Sequence, residues 1–298
     1  MDARQLRMLR ELGELGSLTA VAEALHLTPS AVSQQLRHLQ RPIPVPLTQR
    51  EGRTLRLTEA GRALAAAGTD IEVALARARQ IAQDLAREPS GTVTISGFSS
   101  AALSFFPRLA QAFPPGGNVV IAVADEDVVQ DEFPRLTATY DVVVAHRLAH
   151  TRPWPKSVHV TPLLLEPLDI ALPADHPLAG HERIHAEEAA RHPWIATHAG
   201  FPVGALTEAI GVVAGIHVDI NHRVNEFTVA AELVRAGAGL ALIPRWTTPP
   251  PEGVVLRPLD GVQASRNIDA LTRPETTQRA AVGAVLETLQ QIAVRAAA

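Results

Sequence analysis

The chain has 298 residues, of which 46% are hydrophobic and 19% charged, and its formal net charge is −4. This composition excludes a disordered chain, a bundle of membrane helices and a uniformly basic nucleic-acid binder, and the length predicts two or three domains. Cysteine is absent, which excludes disulfides, thiolate metal sites and cysteine nucleophiles.

The basic residues are concentrated at the start of the chain. Residues 1–56 contain eight arginines and five acidic residues, so the remainder of the chain is acidic. Such an asymmetry indicates that one end of the protein meets a polyanion. No segment resembles a secretory signal or a membrane span, and we therefore expect a cytoplasmic protein that has no membrane partner.

Three short helices are predicted within this basic segment. Leucine recurs at helical spacing over residues 6–15 with a glycine behind it, and a second short helix fits residues 19–25. The third helix starts at Thr28, a capping residue, and is followed by Pro29 at the first helical position. Pro42 ends it, because the residue before a proline disfavours the helical conformation.

A hairpin and a long helix are predicted next. Residues 47–57 alternate polar and apolar side chains around Glu51-Gly52, which predicts two strands with arginines at their tip. Three helices and a hairpin make a winged helix-turn-helix. Beyond Thr58 a helix is predicted to about residue 87, with two series of apolar or small residues at seven-residue intervals. This spacing favours pairing between subunits, and the alternative is an amphipathic helix that packs on its own domain.

From residue 92 onward short apolar strands alternate with helical stretches. We predict strands at residues 92–98, 119–124, 141–145, 193–197, 217–220 and 240–243. Helices are predicted at residues 100–113, 203–214, 226–236 and 276–295. The alternation predicts an α/β fold of parallel sheets covered by helices.

The order of the motifs at the front of the chain resembles that of the LysR-type transcriptional regulators. The resemblance rests on GSLT at 16–19, TPSAVSQQLRHL at 28–39 and LTEAG at 57–61. More diffuse support comes from DHPL at 175–178 and LVRAGAGLALIP at 233–244. The resemblance therefore spans the chain and is densest over the first 65 residues.

The family resemblance implies a domain organisation. A winged helix-turn-helix DNA-binding domain, a linker and dimerisation helix, and a periplasmic-binding-protein-like effector-binding domain are expected at residues 1–58, 59–88 and 89–298. The last is expected to have two α/β subdomains, at about 91–160 with 267–298 and at about 161–266. The resemblance also implies homodimers, and homotetramers on near-palindromic promoter DNA.

DNA binding requires charge for the phosphates and short polar side chains for the base edges. By the resemblance, the third helix enters the major groove and the hairpin contacts the backbone or minor groove. The candidate DNA-binding residues are Thr28, Pro29, Ser30, Ser33, Gln34, Arg37, Arg50 and Arg53. The alternatives are that Thr28 only caps the helix and that Ser33 and Arg53 only face solvent.

Two departures from the family pattern concern the same region. The segment 41–44 (RPIP) replaces an acidic helical extension of the third helix, and Thr48 stands where the family commonly has an aromatic residue. Both departures predict an altered wing geometry. A regulator in which Pro42 and Pro44 have abolished DNA binding is therefore one alternative.

The expected effector site is the cleft between the two α/β subdomains. Turns from strand to helix favour anions there through their free N–H groups, so the small-molecule effector is expected to be anionic, or the protein acts without one. Candidate effector-binding residues are Ser99, Ser100, Arg147, Thr197, His198, Phe201 and Phe227. The alternatives are that Ser99 or Ser100 is an ordinary helix cap and that Arg147, Thr197 and His198 are loop residues without a role.

Enzymatic functions have little support in the sequence. The run GFSSA at 97–101 lacks the second glycine of a serine-hydrolase elbow, and GAG at 237–239 precedes a strand where a dinucleotide fingerprint must follow one. Four histidines between 176 and 192 lack a metal-binding pattern. We predict no catalytic residue, no metal and no cofactor. The competing function is a solute-binding receptor without DNA binding, which would have no use for residues 1–65.

Overall fold

The computed structural model describes residues 1–51, 54–84, 89–198 and 200–297. The described chain begins with a head of three helices and a hairpin, from which a long helix leads away. These elements are α1 (Ala3–Leu15), α2 (Leu18–Ala24), α3 (Pro29–Gln40), β1 (Thr48–Glu51), β2 (Thr54–Leu57) and α4 (Glu59–Asp84). The predicted winged helix-turn-helix is confirmed, as is the long helix as far as residue 84; the rest of its predicted length lies outside the described residues.

Local signals place the ends of α1. Asp2 accepts a hydrogen bond from the Gln5 backbone N–H, and the Gln5 side chain accepts one from the Asp2 backbone N–H, so both form a capping box. Gly16 ends the helix in the left-handed conformation, at φ 67°. Leu6, Leu9 and Leu12 then lie on one face and form the buried core of the head with residues from α2, α3 and the hairpin.

Behind the head is a region of mixed α/β structure. Its first part contains β3 (Gly91–Gly97), α5 (Ser99–Ala112), β4 (Val119–Asp125), α6 (Phe133–Leu136), β5 (Val142–Leu148) and β6 (His159–Pro173). Next come β7 (Ile184–His185), α7 (Ala186–Ala189), β8 (Trp194–Ala196), α8 (Pro202–Ala214), β9 (Ile220–Arg223) and α9 (Phe227–Arg235). The last elements are β10 (Leu240–Pro244), β11 (Val254–Arg257), β12 (Leu259–Asp260), β13 (Ser265–Thr272) and α10 (Ala280–Ala297).

The main sheet has the order β4-β3-β5-β13-β6-β10-β8-β9, with β11 also paired to β6. Pairing of β3 with β4 and β5, and of β8 with β9 and β10, is parallel as predicted. However, β13 is antiparallel to both β5 and β6, and β6 is antiparallel to β10 and β11. The predicted α/β fold is therefore confirmed, but its sheet is mixed, because β6, β11 and β13 add antiparallel pairings to the predicted parallel ones.

The long strand β6 belongs to both halves of this region. Its first part pairs with β13, and its last part, from Leu168, pairs with β10 and β11. Sequence analysis missed it because Pro162 and Pro167 interrupt the run, and proline usually argues against a central strand. Here Pro162 lies beside a bulge in β6, where Leu163 is the extra residue between the pairs Leu164–Ile268 and Pro162–Asp269, and Pro167 stands at the transition between the two sets of partners.

Buried apolar side chains form separate clusters on the two sides of this transition. One cluster joins β3, β5 and β13 to α5 and α10, and others join β8 and β10 to α8 and α9.

Two element positions differ from the prediction: the strand expected at 217–220 is β9, at 220–223, and a 3₁₀ turn precedes α10. The predicted domain boundaries stay predictions. None of the described helices is long and apolar enough to cross a membrane.

Candidate functional site

Helix α3 presents its polar side to solvent and its apolar side to the head. Val32 and Leu39 are fully buried, whereas the predicted side chains at the leading end of the helix are open. The exposed ones are Thr28, Pro29, Ser30, Gln34 and Arg37, and Ser33 is half-buried. This helix can therefore enter a groove without rearrangement of the head.

Hydrogen bonds order the polar face of α3. The Thr28 hydroxyl caps the helix by accepting from the Ala31 N–H at 3.3 Å, and it lies 3.0 Å from the Ser30 hydroxyl. The Arg37 guanidinium donates to the Ser33 hydroxyl at 3.2 Å. Thr28 is exposed although its hydroxyl caps the helix, so the same side chain can cap α3 and contact DNA.

The proline segment behind α3 is held in place by Gln40. Its side-chain oxygen accepts from the Leu47 N–H at 2.8 Å, and its side-chain nitrogen donates to the carbonyls of Ile43 and Val45 at 3.1 and 2.9 Å. The Thr58 hydroxyl donates to the Pro46 carbonyl at 2.6 Å. The prolines prevent a helical extension of α3, and these three hydrogen bonds of the Gln40 side-chain amide hold the segment in place instead.

The hairpin places Arg50 and Arg56 at its solvent side. Arg50 is exposed on β1, where it faces Leu55 across the hairpin, while Arg56 is engaged by Glu51 at 2.9 Å. The candidate Arg53 lies outside the described residues. Arg50 is thus a described wing cation without an ion pair to a described acidic residue.

Thr48 leaves a gap at the base of the wing. A partly open groove of about 160 Å³ lies beside it, lined by apolar side chains that include Leu9, Leu18, Leu36 and Leu55 and by the polar Ser33, Arg37 and Gln40. A threonine is too small to fill this volume, which is the size of a larger ring. The departure from an aromatic residue at this position therefore has a visible packing consequence.

Replacing Thr48 by phenylalanine is expected to stabilise the head by about 0.5–2 kcal/mol, as cavity-filling substitutions commonly do. Thermal unfolding followed by far-ultraviolet circular dichroism would measure the change. Gln49→Phe is the matched control, because Gln49 is the exposed next residue of the same strand. Equal effects of the two substitutions would show that the gap is not the cause.

A second candidate site lies where the two halves of the α/β region meet. A small cavity of about 30 Å³ is lined by residues from the starts of α5, α8 and α9 and from the neighbouring strands. Five of the predicted effector residues line it: Ser99, Ser100, Thr197, Phe201 and Phe227. Its volume has room for roughly two water molecules, so the cleft is closed in this structure.

Two predicted effector residues lie elsewhere. Arg147 points to the opposite side of β5, where its guanidinium is 3.6 Å from Asp269 and close to the Thr151 carbonyl. Alternation along the strand explains this, because the neighbouring His146 takes the cavity side. His198 is exposed, and its backbone N–H donates to Asn225.

The centre of the cleft is a buried ion pair that sequence analysis did not identify as a site. Arg266 on β13 and Glu166 on β6 face each other in register, and both side chains are 0% exposed. Arg266 donates to Glu166 at 2.9 and 3.0 Å and to the Ser100 hydroxyl at 2.8 Å. Two phenylalanine rings, Phe98 and Phe227, lie 4.9 and 5.5 Å from its guanidinium carbon.

Glu166 also accepts from the second half of the region. The backbone N–H groups of Trp246 and Thr247 donate to it at 2.9 and 2.7 Å, and the Thr247 hydroxyl donates at 3.1 Å. Every oxygen of this buried carboxylate is therefore satisfied. The pair joins β6, β13 and the end of β10 at the point where the two halves meet.

One hydrogen bond crosses the mouth of the cleft. The Ser99 hydroxyl donates to Glu226 at 2.8 Å, so the first turn of α5 is tied to the residue before α9. Among the described residues no side chain caps α5, so Ser99 and Ser100 are cleft residues and not ordinary caps. His146 stacks edge-on against Phe98 at 4.5 Å between ring centroids. Burial, with help from Arg266, lowers the pKa of His146 to about 3, so this histidine is neutral at physiological pH.

The charges at the cleft do not favour an anion. Arg266 is balanced by Glu166, and Asp127 and Glu226 add two carboxylates to the lining. Burial and the neighbouring Glu226 raise the pKa of Asp127. The partial positive charges at the starts of α5, α8 and α9 offset these carboxylates, so little net charge remains for a ligand.

Comparison with known proteins assigns both parts of the chain. Residues 3–62 match the family model "Bacterial regulatory helix-turn-helix protein, lysR family", and residues 86–293 match "LysR substrate binding domain". HTH-type transcriptional regulator TtuA of Agrobacterium vitis is 29% identical over 83% of this chain and 81% of its own length. The Hca operon transcriptional activator HcaR of Escherichia coli is 26% identical over 88% of both chains.

Solved structures share the fold over nearly the whole length. A full-length OxyR variant from Pseudomonas aeruginosa has a TM-score of 0.61 at 16% identity, with 97% of this chain and 98% of that chain covered. Full-length CbnR in complex with its target DNA has a TM-score of 0.52 at 20% identity, with 98% and 100% covered. At these identities the likeness shows the fold alone.

Proposed function

This chain belongs to the LysR family of DNA-binding transcriptional regulators, and from that membership we propose that α3 reads base edges in the major groove while Arg50 of the hairpin contacts the phosphate backbone. The observation that carries the proposal is the exposed polar face of α3 on a head with a buried apolar core. Arg37, one turn along the helix, is placed to hold a phosphate. The protein would act on promoter DNA, and hence in the cytoplasm.

The proline segment does not argue against DNA binding. Gln40 fixes the segment by three hydrogen bonds, and α3 keeps its cap at Thr28 and its buried residues. A gel-shift titration against the intergenic DNA upstream of its own gene, at two salt concentrations, tests the proposal. A complete lack of binding at both concentrations would favour the alternative in which Pro42 and Pro44 have abolished it.

Substitutions in α3 and in the wing are expected to differ in kind. Arg50→Ala should weaken binding to all sequences alike and lower the slope of log affinity against log salt by about 1, because one phosphate contact is lost. Arg53→Ala is expected to have the same effect, because the sequence predicts Arg53 at the tip of the hairpin. Gln34→Ala should instead weaken binding selectively, by about 1–3 kcal/mol on the cognate site, because base contacts carry sequence information.

Arg56→Ala is the matched control in the same hairpin, since Glu51 engages Arg56. It should change the salt slope less than Arg50→Ala does. If Arg50→Ala weakened binding only to particular DNA sequences, or if Gln34→Ala weakened binding to all sequences alike, the roles proposed for the two residues would have to be exchanged.

We further propose that the regulator forms dimers through α4. The first half of α4 packs on its own head: an added Cβ at Gly68 would lie 2.7 Å from the Leu6 Cβ. Further along, Ile71, Leu75 and Ile81 are 43%, 43% and 60% exposed. We propose that the first part of α4 packs within the subunit and that these exposed side chains, of which Ile71 and Leu75 belong to the seven-residue series, pair with a second subunit. Pairing of dimers into tetramers stays an expectation.

The effector is proposed to be a small, polar and uncharged molecule. The lining offers hydroxyls, an imidazole, aromatic faces and the Nη1 of Arg266, which is unpartnered among the described residues, whereas the charge of Arg266 is already balanced by Glu166. Because the cavity is so small, binding has to open the mouth and break the bond from Ser99 to Glu226. An effector can shift the protein between open and closed arrangements only if it binds one of them more tightly.

A further inference from the structure

A cluster of charged side chains joins three parts of one subunit. These parts are the head, the long helix α4, and the α/β region from β3 to α10, which we call the effector region. Arg10 of α1 contacts Glu275 at 2.7 Å and Glu72 of α4 at 2.9 Å. Arg273 holds both carboxylate oxygens of Glu11, one of them at 2.6 Å, and donates to a carbonyl of the effector region at 2.8 Å. We call these five residues, Arg10, Glu11, Glu72, Arg273 and Glu275, the ionic latch.

The latch is buried although it is made of charges. Arg10 and Glu11 are 7% and 1% exposed, and Arg273 is 6% exposed. Burial opposes the charge on Glu11, but Arg273 and then Arg10 lower its pKa below the ordinary value. The same carboxylate would be strongly disfavoured here without its arginines. The position of the head thus depends on these ion pairs.

Open space flanks the ionic latch on two sides. On one side lies an open groove of about 1130 Å³ that reaches Glu14, and on the other lies one of about 1190 Å³ that reaches Arg7. A small polar contact with open space on both sides can separate without unfolding either partner. If one partner of an ion pair is removed, we expect the head to separate from the effector region, because water then reaches the remaining charge. This separation costs less free energy than keeping that charge buried without a partner.

Strand β13 connects the latch to the cleft. Arg266 lies near its start, in the buried pair with Glu166, and Arg273 follows its last residue. The two arginines are roughly 23 Å apart along the extended strand, at about 3.3 Å per residue. Because β13 is hydrogen-bonded on both edges, to β5 and β6, it moves as a unit with the sheet.

We propose that the ionic latch docks each DNA-binding head onto the effector region of its own subunit, and that β13 transmits a rearrangement of the cleft to the latch. Closure of the latch fixes the direction in which α3 points. Release frees the head to reorient about α4, so the latch sets how two heads of a dimer meet their half-sites.

The chain has no cysteine, so introduced cysteines can be spin-labelled without background. His38→Cys on α3 and Glu187→Cys on α7 are both exposed positions, one in the head and one in the effector region. The distance between the labels is measured by double electron–electron resonance on full-length protein, with labelled chains diluted into unlabelled wild type so that only distances within a subunit contribute. No DNA is present, so the result is independent of the proposed DNA contacts.

Arg273→Met is expected to broaden the distance distribution and shift it toward a second population, and Glu11→Gln is expected to do the same from the head side. Arg235→Met, which breaks the exposed pair of Arg235 with Glu232 in the effector region, is the matched control and should leave the distribution unchanged. Tryptophan emission confirms that the effector region remains folded in each variant. If Arg273→Met perturbs that region, Glu11→Gln still tests the latch, because its change lies in the head.

The connection through β13 has a separate test. Arg266→Lys keeps the charge in the cleft but loses the geometry of the bonds to Glu166 and Ser100, and it is expected to shift the same distance distribution from about two dozen ångströms away along β13. A distribution that stays as in wild type in both Arg273→Met and Glu11→Gln overturns the latch. An unchanged distribution in Arg266→Lys alone overturns the transmission through β13.

Discussion

Arg266→Met is expected to destabilise the effector region by about 3–5 kcal/mol, because it leaves the Glu166 carboxylate buried without a cation. Glu166 is 0% exposed, and its other donors are two backbone N–H groups and the hydroxyl of Thr247, none of which carries a charge. Methionine keeps most of the volume between Phe98 and Phe227, so the loss reports on charge more than on packing.

Urea unfolding followed by tryptophan emission measures this loss selectively. The three tryptophans are Trp154, Trp194 and Trp246, and residues 1–88 contain neither tryptophan, tyrosine nor phenylalanine. The signal therefore comes from the effector region alone. A separate probe is needed for the head, since a chain of several domains does not unfold as one unit.

Two controls separate the buried pair from a general effect of removing arginine. Arg152→Met breaks a pair with Asp131 in which both side chains are mostly exposed, and it should cost about 0–1 kcal/mol. The double variant Arg266→Met with Glu166→Gln should lose less than Arg266→Met alone, because no charge stays buried. A loss in Arg266→Met no larger than in Arg152→Met would show that the pair contributes little to stability.

Gly61→Ala is expected to destabilise the head by about 1–3 kcal/mol or more, although alanine is the better helix former. An added Cβ would lie 2.0 Å from the Leu47 carbonyl oxygen and 3.3 Å from the Leu57 Cβ. The same carbonyl accepts the Thr58 N–H at 3.0 Å. The start of α4 and both ends of the hairpin thus meet at this glycine, and a methyl group must force them apart.

Gly283→Ala in α10 is the matched control, because nothing lies within 4 Å of its added Cβ. It should stabilise its helix by up to about 1 kcal/mol. Hydrogen exchange of the head amides gives the stability of Gly61→Ala, and gel shift gives its DNA binding, which should fall because the wing moves. Two alanine variants with effects of the same sign would contradict the close approach at Gly61.

The head could be predicted nearly residue by residue. The capping residue Thr28 with Pro29, the stop at Gly16 and the leucine spacing of α1 act within one or two turns of the chain, so their effect is readable without the rest of the molecule. The same holds for the exposed face of α3, which follows from the buried positions of Val32 and Leu39 on the other side.

The cleft was predicted in part. Ser99, Ser100 and Thr197 were placed near the cleft because they follow strands at the expected edge of the sheet. Arg147 was assigned to the cleft, but its side chain points to the other side of β5, and the neighbouring His146 faces the cleft instead. The buried partners Arg266 and Glu166 were missed. Both belong to strands whose prolines or polar residues hide the strand pattern, and their pairing joins positions 100 residues apart in the chain.

By itself the sequence determined the helices of the head, the long helix, the alternation of strands and helices and the family, because each of these depends on side-chain spacing or on motifs of neighbouring residues. Only the tertiary structure decided which buried charges meet. The pairs of Arg266 with Glu166 and of Arg273 with Glu11 form across strands and across domains. A charge can be buried only where its partner is brought to it, and no local pattern records where that partner will be.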